Sequence, residues 1–102
     1  MDMKFIITED KLYRAFSKFM DNYFGLKYHI IDNTILGIDM KEYIFKTKDG
    51  ESFGRSFEND AFKCNFDKYN ILNSFFGDKT DELLLQYLND KFGDSVRIRR
   101  IS

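Results

Sequence analysis

Few side chains in this 102-residue chain are of the types that perform chemistry. His29 is the single histidine and Cys64 the single cysteine. A nucleophilic cysteine needs a lowered pKa and a base beside it, and His29 alone is available to serve Cys64. Cys64 alternates in phase with Phe62 and Phe66, the setting of a small inert hydrophobe. His29 stands in an apolar run, and one residue of each kind falls short of the several Cys or His ligands of a tetrahedral zinc site. Carboxylates are plentiful, notably Asp32, Asp39, Glu42, Glu51, Glu58 and Asp60. A Glu42–Glu58 or Asp39–Asp60 pair would suit acid/base or metal work. The competing reading places these acids on solvated strand edges and turns. No calcium loop, His-Glu-x-x-His, phosphate-binding loop or Gly-x-Ser-x-Gly elbow is present. The residue set predicts neither a catalytic centre nor a cofactor.

Binding offers more candidates. Tyr43, Phe45, Phe53 and Phe57, with Lys41 and Arg55 nearby, have the make-up of a sheet face that stacks unpaired bases. The alternative is that this face is core, because covering it with an apolar helix removes the most surface from water. Arg97, Arg99 and Arg100 form a basic strip suited to an anionic partner; the alternative pairs them with Asp90 or Asp94. Leu83 and Tyr87 lie beside the core stripe of the last helix and widen its apolar arc beyond what a surface helix needs. Either the preceding helix covers them, through Ile71 or Phe75, or a second copy does so across a two-fold axis. The second case predicts a homodimer with Leu83 and Tyr87 at its interface.

These residues need elements to hold them. Leu12, Phe16, Phe19 and Tyr23 recur at helical spacing, with Met20 and Phe24 widening the face, which predicts a helix near 9–24. Thr8 is its expected cap and Gly25 its left-handed stop. Lys4 to Ile7 reads as a short strand. Residues 28–31 and 34–38 read as strands flanking an Asp32-Asn33 turn. Around Lys48-Asp49-Gly50 two hairpin registers compete. One sets Phe45 against Gly54; the other, with Gly50 left-handed, sets Phe45 against Phe53 and gathers Tyr43, Phe45, Phe53 and Phe57 on one face. Ala61 to Phe66 alternates as a half-buried strand. Asp67 is placed to cap a helix closed by Gly77. Asp78 or Thr80 opens a helix that ends at Gly93, and Ser95 to Ile101 alternates as a last strand. The order β-α-β-β-β-β-β-α-α-β predicts an α+β fold. A mainly antiparallel sheet is expected to pack on the N-terminal amphipathic helix and the two C-terminal helices.

Length and composition point to one domain spanning 1–102. The net charge of -1 disfavours a protein held to nucleic acid by bulk charge, leaving room for a local patch. No apolar run approaches a membrane span or a signal peptide, so a cytoplasmic location is expected. The opening Lys4-Phe5-Ile6-Ile7-Thr8-Glu9-x-x-Leu12 and the ending Tyr87-Leu88-Asn89-Asp90-Lys91-Phe92-Gly93-Asp94 resemble short uncharacterised bacteriophage-type proteins. That resemblance implies a viral origin and no activity. The expected function is a small non-enzymatic module that binds a protein, as a phage accessory or host-interaction protein. The alternative is a nucleic-acid-binding protein using the arginine strip and the aromatic face.

Overall fold

The computed structural model describes residues 9–57, 60–93 and 96–102. The expected strand Lys4–Ile7 and the Thr8 cap lie outside them. The fold is α+β: helix α1 (Glu9–Phe19) and a π-helical turn (Met20–Phe24) precede strands β1 (Lys27–Ile35), β2 (Ile38–Lys46), β3 (Ser52–Phe57) and β4 (Ala61–Cys64). Helix α2 (Phe66–Phe76), a 3-10 turn (Gly77–Lys79), helix α3 (Thr80–Phe92) and strand β5 (Arg100–Ile101) follow. The five-stranded sheet keeps chain order, β1-β2-β3-β4-β5. Its first three pairings are antiparallel, and β5 lies parallel to β4 after the crossover through α2 and α3.

The first helix follows its periodicity until the last turn. There the Gly25 N–H, at φ 57°, donates to Met20 O at 2.9 Å, one residue further back than in an α-helix. The wider turn keeps Phe24 in line with Phe16 and Met20, all buried, and swings Tyr23 off the face, where it is 53% exposed. Tyr23 is thus a surface residue and not part of the core stripe. The orphaned carbonyls of this helix end are met by one residue of a distant loop. Lys48 N–H donates to Phe24 O at 2.7 Å, and Lys48 Nζ donates to Asn22 O at 2.8 Å.

The first hairpin turns later than the Asp32-Asn33 expectation. Asp32 and Asn33 are ladder residues opposite Lys41 and Met40, and the turn is Leu36-Gly37. Both have positive φ, 52° and 79°, as a two-residue type I′ turn demands. The expected strand at 34–38 is therefore split, Thr34 and Ile35 ending β1 and Ile38 beginning β2. The second hairpin uses both competing registers at once. Phe45 faces Gly54, whereas Lys46 faces Ser52, and a bulge at Phe53 joins the two. The loop is the three-residue form: Thr47 N–H donates to Glu51 O at 2.8 Å, and Gly50 is left-handed at φ 86°. The bulge buries Phe53 beside Tyr43 and Phe45. It also pairs Phe57 with Glu42, which sends Phe57 to the opposite face from the three it was expected to join.

Beyond β4 the capping chemistry overrides the alternation. Asn65 Oδ1 accepts from Asp67 N–H at 3.0 Å, so Asn65 and not Asp67 caps α2. The strand accordingly stops at Cys64, and Phe66 begins the helix, 70% exposed. The closing segment alternates as expected, with Val96 and Ile98 buried and Arg97 and Arg99 exposed. Only Arg100–Ile101 joins the ladder. Ile98 is paired instead by the Asn89 side chain, which donates to Ile98 O at 2.9 Å and accepts from Ile98 N–H at 3.0 Å.

One aromatic core unites these elements. Phe24 of the π turn meets Phe53 at 5.0 Å between ring centroids, and Phe92 of α3 meets Phe45 at 5.3 Å and Tyr28 at 5.4 Å. Phe16 contacts Phe76 and Tyr87 edge-on, the geometry aromatic quadrupoles favour. The sheet thus has an inner face, carrying Tyr28, Tyr43, Phe45 and Phe62, and an outer face carrying the alternate residues.

Candidate functional site

The residues expected to do chemistry are not brought together. His29 lies on the outer face of β1, while Cys64 lies on the inner-face ladder of β4, three strands away. Burial pushes the Cys64 thiol up to about 12, the opposite of what a nucleophile needs. Glu42 is buried, accepts from Asn33 Nδ2 at 2.8 Å and stands 3.6 Å from Arg55, a structural set of partners. Its expected partner Glu58 lies outside the described residues. Asp39 accepts from Thr34 Oγ1 at 2.9 Å. Among the described residues no group of three or more His, Cys, Asp or Glu is placed to hold a metal ion.

The interface expected at Leu83 and Tyr87 is corrected by burial. Tyr87 is 1% exposed and Leu83 6%, so neither is available to a second copy. Tyr87 is held from the N-terminal side of the chain, by Phe16 of α1 and by Asp21 of the π-helical turn. Its ring meets Phe16, and its hydroxyl donates a short hydrogen bond to Asp21, which also accepts from Lys91 Nζ at 2.7 Å. Those two donors, Lys91 first, hold the Asp21 carboxyl below its ordinary range. Burial and the Asp21 carboxylate push the Tyr87 hydroxyl well up. The stacking platform is likewise core: Tyr43, Phe45 and Phe53 are all buried.

Two surfaces are left. The first is an arm. β3 pairs with β2 only from Glu42 to Lys46, so the distal ends of β1 and β2 extend as a two-stranded ribbon. The four residues from Ile38 to Lys41, at ~3.3 Å each, make the ribbon ~13 Å long. Its outer face carries Ile38 and Met40, and Ile31 and Ile30 stand at its base, opposite Glu42 and Tyr43. Ile38 is 64% exposed and Leu36, at the tip, 96%. Among the described residues four of the seven exposed large hydrophobics, Ile30, Ile31, Leu36 and Ile38, lie on this hairpin, and the other three, Tyr23, Phe66 and Phe75, lie on the helices; a cluster of this kind is the usual mark of a contact surface. Among the described residues β1 is also a sheet edge nine residues long that no further strand pairs. The composition of this stretch signalled the isoleucines. It hid their exposure, since the same alternation suits a buried hairpin.

The second surface is basic. Arg97, Arg99 and Arg100 are exposed, and none makes an ion pair among the described residues. Pairing with Asp90 does not occur, and Asp94 lies outside the described residues. The three are not one strip. Arg97 and Arg99 line a groove with Asn89, whereas Arg100 lines another with Arg55 and Lys63. The sheet register explains the second grouping: Arg55 pairs directly with Lys63, and Arg100 with Ala61 on the same face. Nothing in the spacing of positions 55, 63 and 100 signals this; only strand pairing brings them together.

No family model matches this chain, and comparison with curated proteins and with solved structures finds no significant match. No helix among the described residues is long and apolar enough to cross a membrane.

Proposed function

We propose that the protein is a small non-enzymatic module that binds another protein through the β1–β2 arm. The supporting observation is Leu36. A left-handed backbone costs an L-residue roughly 1–2 kcal/mol, least for Gly, Asn or Asp. Leu36 adopts it at φ 52° while 96% exposed, so burial among the described residues does not compensate. Strain at an exposed leucine has no folding benefit and fits a side chain kept for a partner. Ile38 and Ile31 extend the same surface, and the β1 edge adds backbone groups for strand addition. Action in the cytoplasm as an accessory or host-interaction protein, in keeping with the phage-type resemblance, completes the reading.

A photo-crosslinking residue placed at Leu36 or Ile38 in expressing cells tests it. One discrete heterologous adduct is expected from both positions and none from Asp78. The purified partner should then bind the native chain at least tenfold more tightly than a Leu36→Asp, Ile38→Asp variant. Absence of adducts, equal adducts from Asp78, or an adduct of twice the chain mass would overturn the reading.

A further inference from the structure

The outer sheet face concentrates positive charge in a chain that has none to spare. Lys27, Lys46, Arg55, Lys63 and Arg100 occupy outer ladder positions, against one carboxylate, Glu42. The whole chain has 16 cations against 17 acids, and Asp60 borders the cations from the β3–β4 connection. The sorting is therefore by face and is invisible in the net charge of -1.

The densest part lies on β3, β4 and β5. Arg55 and Lys63 are direct cross-strand partners, which sets their Cβ atoms ~5 Å apart, and like charges so placed repel. Arg100 stands one strand further, two residues along, so ~5 Å across and ~7 Å along the sheet from Lys63. Lys63 and Arg100 make no ion pair among the described residues. The Arg55 contact with Glu42, at 3.6 Å, leaves the arginine side chain 61% exposed. Asp60 and Ser102 share the groove with them, and Arg97 and Arg99 continue the charge round the β5 edge.

We infer that this face binds the phosphate backbone of a nucleic acid without reading its bases. Cations spread over three strands and an edge match a linear, evenly charged polymer, whose phosphates would relieve the Arg55–Lys63 repulsion and release counterions. Ala61, Ser102 and Asn65 lie beside the charges, with Ile44 and Phe57 as the apolar neighbours, so an acidic protein segment is the competing ligand that polyglutamate represents in the test. Base stacking has little to work with. The outer aromatic positions are His29, at the far edge, and Phe57, half-buried.

Fluorescence anisotropy with labelled ~20-nucleotide single strands and ~20-base-pair duplexes of contrasting sequence tests this at about 25 mM salt. Binding should vary little between sequences. About three phosphate contacts predict a log–log salt slope near -2 for single strands and near -3 for duplex DNA. Lys63→Glu with Arg100→Glu should weaken binding at least tenfold, and Arg14→Glu with Lys18→Glu, on the exposed side of α1, should not. If the first variant fails to melt cooperatively, Lys63→Gln with Arg100→Gln removes the charge alone and should lower the slope by about two contacts. No binding at low salt, full retention in the Lys63 and Arg100 variants, strong base preference, or tighter competition by polyglutamate would each overturn the inference. None of these results depends on the arm.

Discussion

β2 belongs to two hairpins that are finished in opposite ways. With β3 it closes through a three-residue loop, with Gly50 in the left-handed conformation that glycine readily adopts. A bulge turns Phe53 inward, and Lys48 of the loop ties off the first helix. With β1 it closes through a tight turn that forces Leu36 into a conformation leucine disfavours, and it leaves isoleucines in water. The β1 pairing has the longer ladder, nine pairs against five, and the more β-branched strand. What separates them is a second layer: Phe24 and Phe62 lie against Phe53, whereas Ile38 stays 64% exposed. A hairpin alone is marginal in water, so the body supports the arm and the arm contributes little to the body.

That asymmetry can be broken from either side. Phe53→Ala, in the body, should cost ~3–5 kcal/mol, as for a large aromatic removed from a core. Chemical denaturation measures it, and a loss below ~1 kcal/mol would place Phe53 among surface residues. Gly54→Ala should follow at ~1–3 kcal/mol through overpacking. A Cβ there would strike the Phe62 ring and lie 2.6 Å from the Lys63 carbonyl oxygen. A neutral result in the same assay would mean that the bulge shifts to make room. Leu36→Asn should move the other way, raising stability by ~1 kcal/mol, because asparagine tolerates the turn. A loss would show that Leu36 holds a contact in the folded chain. Ile38→Thr should change thermal stability least, within ~0.5 kcal/mol, as at an exposed strand position away from special features. The comparison sharpens further if Ile38→Thr weakens partner binding while Gly54→Ala leaves it unchanged in the folded fraction.

The candidate sites were legible to the degree that they depend on neighbours in sequence. The exposure of Arg97 and Arg99 follows from alternation with Val96 and Ile98 and is found. The grouping of Arg100 with Arg55 and Lys63 depends on β4 and β5 lying side by side across the helical crossover, so no local pattern announces it. Leu83 and Tyr87 looked like surplus apolar surface because the residues that cover Tyr87, Phe16 and Asp21, lie more than sixty positions away.

By itself the sequence determined the α+β class and the first helix with its Gly25 stop, and it offered the three-residue Gly50 loop and a buried aromatic face as one of two readings each. Periodicity and a few residues with special backbone freedom suffice for these, since each is settled within one turn or one strand. Tertiary structure alone decided which apolar residues stay outside. The alternation of Ile31 and Ile38 is the same as that of Tyr43 and Phe45, and only the place where β3 ends separates arm from core. It also decided the face of Phe57, because one bulged residue inverts every side chain beyond it.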